Sequence, residues 1–304
     1  MKNALLALSC FLCFQASAQR MQTITYFQND TLKLDLDLFL PEKMPDTKLP
    51  LLLFVHGGGF SIGKKEDGQP ICKYLAQNGI AAASISYTLY MKGKKFSCDG
   101  VLAEKVKAFQ YGANDLWLAT SFFLSNKSKY NIDIEKIFIA GSSAGGETVL
   151  HASHWNRELM KMYDVKLPDN FRYAGLVSGA GAIMDINLIN KNTLIPMMLF
   201  HGNGDTTVPY ATAAHHYCPT NASGWLMLFG SFSIYNYAKD LNGNVSLFTF
   251  CGGGHEYSGT LFEKDQYLIL DFINNVIAGK KFQSHTIIPT GKKTEKSAVY
   301  GFCD

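Results

Sequence analysis

The chain has 304 residues, 47% of them hydrophobic, 13% aromatic and 17% charged, with a formal charge of +3. That composition excludes a disordered chain, a collagen and a coiled coil, and it suits one large domain with a single core. Basic residues never run beyond a pair, as at Lys94-Lys95, Lys280-Lys281 and Lys292-Lys293, so nucleic acid has no electrostatic footprint and is not an expected partner.

Residues 1–18 read as a secretory signal peptide: Lys2 is the positive end, 4–14 is apolar, and Ala16-Ser17-Ala18 is a small-x-small cleavage site. The expected location is therefore secreted or periplasmic. Gln15 ends the apolar run well short of the roughly 20 residues a membrane helix needs, so no transmembrane anchor is expected. A lipoprotein signal ending at Cys10 is the weaker alternative, because Ala7 stands where Leu is usual.

Leu32, Leu34, Leu36 and Leu38 alternate with Lys33, Asp35 and Asp37, which with residues 22–26 predicts an antiparallel pair at a sheet edge, one face dry and one wet. Continuous apolar or small-residue runs at 51–55, 81–87, 137–140, 174–178, 197–200 and 246–250 predict strands covered on both faces. Helical periodicity fits 68–78, 101–124, 144–160, 210–217 and 261–277. Strand–helix alternation at this spacing gives an α/β fold: a mostly parallel sheet with an antiparallel start, helices on both faces, and one domain over 19–281. Residues 88–100 and 219–243 read as long loops that shape a pocket, and 282–304 as a polar, loosely packed tail.

Without the signal segment, Cys72, Cys98, Cys218, Cys251 and Cys303 remain, an odd number that leaves at least one unpaired. Spacing does not fix the pairing, and Cys72 with Cys98 is the expected bridge. No Cys/His cluster has zinc spacing, so no metal or other cofactor is expected.

Chemistry concentrates where strands end. After 137–140 comes Gly141-Ser142-Ser143-Ala144-Gly145-Gly146, a G-x-S-x-G turn between strand and helix that would lift the Ser143 hydroxyl above the sheet. After 51–55 stands His56-Gly57-Gly58-Gly59-Phe60, whose glycines can aim successive N–H groups at one spot. A phosphate cradle would need a G-x-G-x-x-G or a Lys-Ser/Thr completion, and neither is present. Asp205 is the one carboxylate in His201-Gly202-Asn203-Gly204-Asp205, and His255 follows Gly252-Gly253-Gly254 after the last run. His56 reads as an anchor of its loop, Glu256 as a loop salt-bridge or solvent group, and His151, His154, His215 and His216 as satisfied core or surface histidines.

Nucleophile, acid and base thus run in the order Ser143, Asp205, His255, each just past a strand. The chain here resembles the α/β-hydrolase superfamily, specifically its HGGG-type esterases and lipases, over roughly residues 50–277. The resemblance implies that Ser143 attacks an ester carbonyl, His255 shuttles the proton and Asp205 orients the imidazole. It also implies that the N–H groups of Gly58, Gly59 and Ala144 hold the oxyanion. Hormone-sensitive-lipase-like members usually carry an acidic residue where Ser142 stands and add a helical cap before the sheet; with about 30 residues between the signal segment and the 51–55 run, no large N-terminal cap is expected here. The size and the GSSAGG turn look more like secreted bacterial feruloyl and acetyl xylan esterases, which extends the implied partners to acyl or feruloyl esters linked to polysaccharide. Two alternatives are a serine peptidase of the same fold and a non-catalytic binding protein that reuses it. Oligomeric state is not legible.

Overall fold

Leu51, Leu53 and Val55 point to one side of their strand and Leu52 and Phe54 to the other, and all five are buried. Such a strand needs a cover on each face, and the computed structural model, which describes residues 20–292 and 300–303, supplies both. Nine strands form the sheet: β1 (Arg20–Gln28), β2 (Lys33–Leu40), β3 (Leu49–Val55), β4 (Ala81–Ile85), β5 (Ile132–Ser142), β6 (Gly175–Gly179), β7 (Met197–Gly202), β8 (Val245–Cys251) and β9 (Gln283–Pro289). Their spatial order is β1-β2-β4-β3-β5-β6-β7-β8-β9, antiparallel through β1, β2 and β4 and parallel beyond.

Helices α1 (Gln69–Gln77), α2 (Leu102–Ser125), α3 (Ala144–His154), α4 (Ser231–Asp240) and α5 (Gln266–Ile277) divide between the faces. Ile71, Leu75, Ile269 and Phe272 of α1 and α5 pack with Leu52, Phe54, Phe138 and Phe200. Phe109, Leu116, Val149, Leu150 and Ile234 of α2, α3 and α4 pack with Leu51, Leu53, Ile137, Ile139 and Leu247. Burying each such side chain contributes about 1.5–3 kcal/mol, so both layers are needed to hold the sheet ends in place. The fold is the expected α/β class. No helix among the described residues is long and apolar enough to cross a membrane. The expected signal segment, 1–18, lies outside the described residues.

Several expectations change. The second face of β2 is not wet throughout: Asp37 is buried under the start of α1, where Thr23, Lys65 and Gln69 donate to its carboxylate at 2.7, 3.0 and 2.7 Å. Residues 210–217 do not form a helix. Thr212–Ala214 is a short strand paired with Met227–Gly230, and left-handed backbone at His216 and Tyr217 breaks any helical run. The segment 219–243 is not all loop, since it contains that partner strand and α4, whose Ile234, Tyr235 and Ala238 make a buried stripe at helical spacing. The expected loose tail, 282–304, is ordered at its start. Gln283–Pro289 adds β9 to the sheet edge, where one hydrogen-bonded neighbour suffices and a polar strand is tolerated.

The cysteine pairing is also corrected. Cys98 bonds Cys218, and Cys251 bonds Cys303. Cys72 stays a free thiol because it faces inward from α1 into the core layer beneath that helix.

Candidate active site

β5 ends in the sharp turn that the glycines allow. Ser143 sits at φ 54° and ψ −122°, a backbone conformation an L-residue adopts only under constraint, and α3 starts at the next residue. Two glycines make that turn fit. A Cβ on Gly141 would lie 2.3 Å from the Gly145 carbonyl carbon, and one on Gly145 would lie 2.0 Å from the Val55 oxygen. Nothing larger than hydrogen fits at either place.

The structure brings the three expected side chains together. His255 Nε2 lies 2.8 Å from Ser143 Oγ, and His255 Nδ1 lies 2.6 Å from Asp205 Oδ2. The pattern assigns the ring proton to Nδ1, donating to the carboxylate, and leaves the Nε2 lone pair facing the hydroxyl. Asp205 is buried and its second oxygen accepts from the backbone N–H groups of Thr207 and Val208 at 2.7 and 3.0 Å. Burial alone would raise its pKa, but hydrogen bonds from His201 and His255 outweigh burial and hold the carboxyl well below the usual carboxylate range. It is ionised when the imidazole needs it.

His201 is a contributor the sequence did not reveal. Its Nδ1 takes the Ser231 hydroxyl at 2.9 Å, which turns Nε2–H toward Asp205 Oδ2 and the Val208 carbonyl, both at 3.2 Å. The available signal was its place at the end of β7, four residues before Asp205. His201→Leu is expected to lower stability by about 1.5–3 kcal/mol, the range for a hydrogen bond to a charged group. Because the folded Asp205 pKa is depressed, that contribution is present above the unfolded value and lost as pH falls through the folded one. Urea unfolding should therefore show the full gap between variant and wild type at pH 7 and a closing gap below about pH 4. A gap independent of pH would refute the coupling to Asp205.

The glycine loop after β3 lies beside the serine. Gly58 has φ +106°, and a Cβ there would meet the Ile62 carbonyl oxygen at 2.2 Å. Among the hydrogen bonds of the described residues, none is donated by the backbone N–H of Gly58, Gly59 or Ala144. His56 turns away from the serine: it is buried, its Nδ1 lies 2.7 Å from the Gly57 oxygen and its ring packs on Tyr87. Burial lowers its pKa, keeping it neutral.

A cavity of about 560 Å³ opens over Ser143 and His255, with Phe96, Ser97, Glu147, Val208, His215 and His216 in its walls. Residues 88–100 do contribute, through Phe96 and Ser97. None of the described lining residues comes from 219–243, because the turn at 215–217 takes the wall on that side. His151 and His154 are core residues, lowered by burial to about 3 and about 4. His215 departs from expectation, since it lines the cavity and its Nδ1 has no hydrogen-bond partner. Glu256 pairs with Lys292 at 2.6 Å on the surface.

Sheet order, helices on both faces and a serine on a strained strand–helix turn make this an α/β-hydrolase-fold protein. The BD-FAE family model matches residues 36–185, a span that includes the glycine loop and the serine turn. The chain is 26% identical over 235 residues to a protein of Oryza sativa subsp. japonica named "Probable isoprenylcysteine alpha-carbonyl methylesterase", across 64% of this chain and 51% of that one. It is 31% identical over 136 residues to Esterase B1 of Culex pipiens, across 43% of this chain and 23% of that one. It thus spans about half or less of these curated relatives. Among solved structures, propionate-bound esterase Est2 of Thermogutta terrifontis superposes with a TM-score of 0.60 at 16% identity, covering 86% of this chain and 95% of that one.

Proposed function

We propose that the protein is a serine carboxylic-ester hydrolase. Ser143 Oγ attacks the ester carbonyl carbon as its proton passes to His255 Nε2, and Asp205 stabilises the imidazolium that forms. The carbonyl oxygen gathers negative charge within reach of the Gly58, Gly59 and Ala144 N–H groups, none of which donates a hydrogen bond elsewhere among the described residues. The leaving alcohol takes the proton from His255, which leaves an acyl group on Ser143. Water then gives a proton to His255, attacks the acyl carbon and releases the acid, returning the proton to Ser143.

The observation that carries this reading is the line of two hydrogen bonds, 2.8 and 2.6 Å, joining hydroxyl, imidazole and buried carboxylate at the floor of a cavity. Esterase names among the relatives agree with it. An acyl or feruloyl ester of a polysaccharide is the substrate class proposed from the resemblance. Export is proposed from residues 1–18, and the two disulfides support it, since such bonds persist in oxidising compartments.

A fluorophosphonate probe tests the reading. It should add once to wild-type protein, at the peptide that contains Ser143 by mass spectrometry, and should not add to Ser143→Ala. A folded wild-type protein that stays unlabelled and leaves p-nitrophenyl acetate intact would sink the proposal.

A further inference from the structure

The wall of the cavity holds a pair that the ester-cleaving line does not use. Glu147 stands in the first turn of α3, four residues after Ser143, and His215 comes from the turn after Thr212–Ala214. Each is only about 1% exposed, yet both line the cavity. His215 Nε2 stands 3.7 Å from Glu147 Oε1, too far for a hydrogen bond. Glu147 Oε1 and His215 Nδ1 are buried without any hydrogen-bond partner.

The surroundings do not relieve them. The His215 ring is held by the edge of Phe96, with centroids 5.0 Å apart, and by His216 at 4.3 Å. The buried Lys105 ammonium donates to the Gly224 carbonyl at 2.6 Å. Burial raises the Glu147 pKa and lowers that of His215, so the site favours the neutral form of each side chain. Orphaned buried polar atoms are costly, and a carboxyl and an imidazole whose Oε1 and Nε2 stand 3.7 Å apart in the wall of a binding cavity, each side chain with one such atom, call for a ligand group that reaches both.

We propose that Glu147 and His215 form a hydroxyl-binding subsite, which selects esters carrying a hydroxyl near the scissile carbonyl over their alkyl isosteres. The inference rests on the ester-hydrolase reading above. A hydroxyl both donates and accepts, so one group can bridge a carboxyl and an imidazole at this spacing. Rotation about the terminal bond of Glu147 exchanges its two oxygens and lets the carboxyl turn to the ligand. A charged substituent would be buried where the surroundings disfavour charge, and an alkyl group would offer neither side chain a hydrogen bond. The remaining lining agrees, since Ser61, Ser97, Ser142, Thr207 and Ser258 add hydroxyls around Phe96 and Val208.

Two isosteric pairs of esters test this and show on which side of the ester the hydroxyl is read. The alcohol side is read by 2-hydroxyethyl acetate against propyl acetate, the acyl side by methyl 3-hydroxypropanoate against methyl butanoate. Wild type is expected to favour the hydroxylated member of one pair by about tenfold or more in kcat/KM. Glu147→Leu and His215→Leu should bring that ratio close to one, and Glu147→Gln, which still hydrogen-bonds, should retain part of it. Ratios within one protein cancel general damage to activity. Should the leucine variants not fold, wild type and the glutamine variant still decide. A wild-type ratio near one in both pairs overturns the inference, as does a preference that survives intact in all three variants. Wild type that cleaves none of the four esters and takes no fluorophosphonate overturns the hydrolase reading beneath it instead.

Discussion

His255→Ala is expected to lower kcat for ester hydrolysis by about 10⁶-fold, and Asp205→Asn by about 10⁴-fold, with far smaller changes in KM. The first removes the group that takes the Ser143 proton across 2.8 Å, and nothing stands in for it. The second keeps the shape of the loop but replaces an anion with an amide. An amide can offer N–H toward His255 Nδ1, which would pull the ring proton to Nε2, the side that must be a lone pair. Thr207 and Val208 N–H can still reach an amide oxygen, so folding should survive better than catalysis. Purified variants with wild-type melting curves and single-turnover kinetics would separate the two effects. The combined variant should be little worse than His255→Ala alone, because the carboxylate acts through the imidazole. Additive losses would mean that Asp205 works by some other route.

Those three residues were legible because each follows a buried strand and stands among glycines, and a strand end is the place where parallel sheets leave side chains free. The sheet core was legible for a related reason: runs such as Leu51 to Val55, apolar on both faces, fit only a doubly covered strand. What the sequence hid was set by partners far along the chain. Gln283–Pro289 reads as polar tail because an edge strand needs little apolar surface, and its pairing with β8 is a tertiary fact. Thr212–Ala214 and Met227–Gly230 are strands only through each other. Cysteine pairing depended on folding Cys98 and Cys218, 120 residues apart, against one another. The support His201 gives Asp205 and the unpaired polarity of Glu147 and His215 belong to the same class, since orientation and hydrogen-bond deficit have no signature in residue order.

Removing the Cys98–Cys218 bond by Cys98→Ser with Cys218→Ser is expected to lower stability by about 2–5 kcal/mol, which for a domain of this size is a fall of roughly 4–20 °C in Tm. Loop closure alone would place this bond less than about 1 kcal/mol above Cys251–Cys303, whose residues are 52 apart, so chain entropy barely separates the two. What each bond holds does separate them. Cys98 follows Phe96 and Ser97, Cys218 follows His215 and His216, and all four neighbours line the cavity. The Gly224 N–H donates to the Cys98 carbonyl at 2.9 Å and Lys105 grips the Gly224 carbonyl, so the bond closes a belt around one wall. Ser143, Asp205 and His255 lie on other segments. Loss of Cys98–Cys218 should therefore raise KM more than it lowers kcat. Cys251 ends β8, four residues before His255, so loss of Cys251–Cys303 should act more on kcat. Steady-state kinetics on the two double variants, at a temperature where both remain folded, would reveal the contrast. Equal effects on KM and kcat in both would show that the bonds stabilise the domain without shaping its cavity.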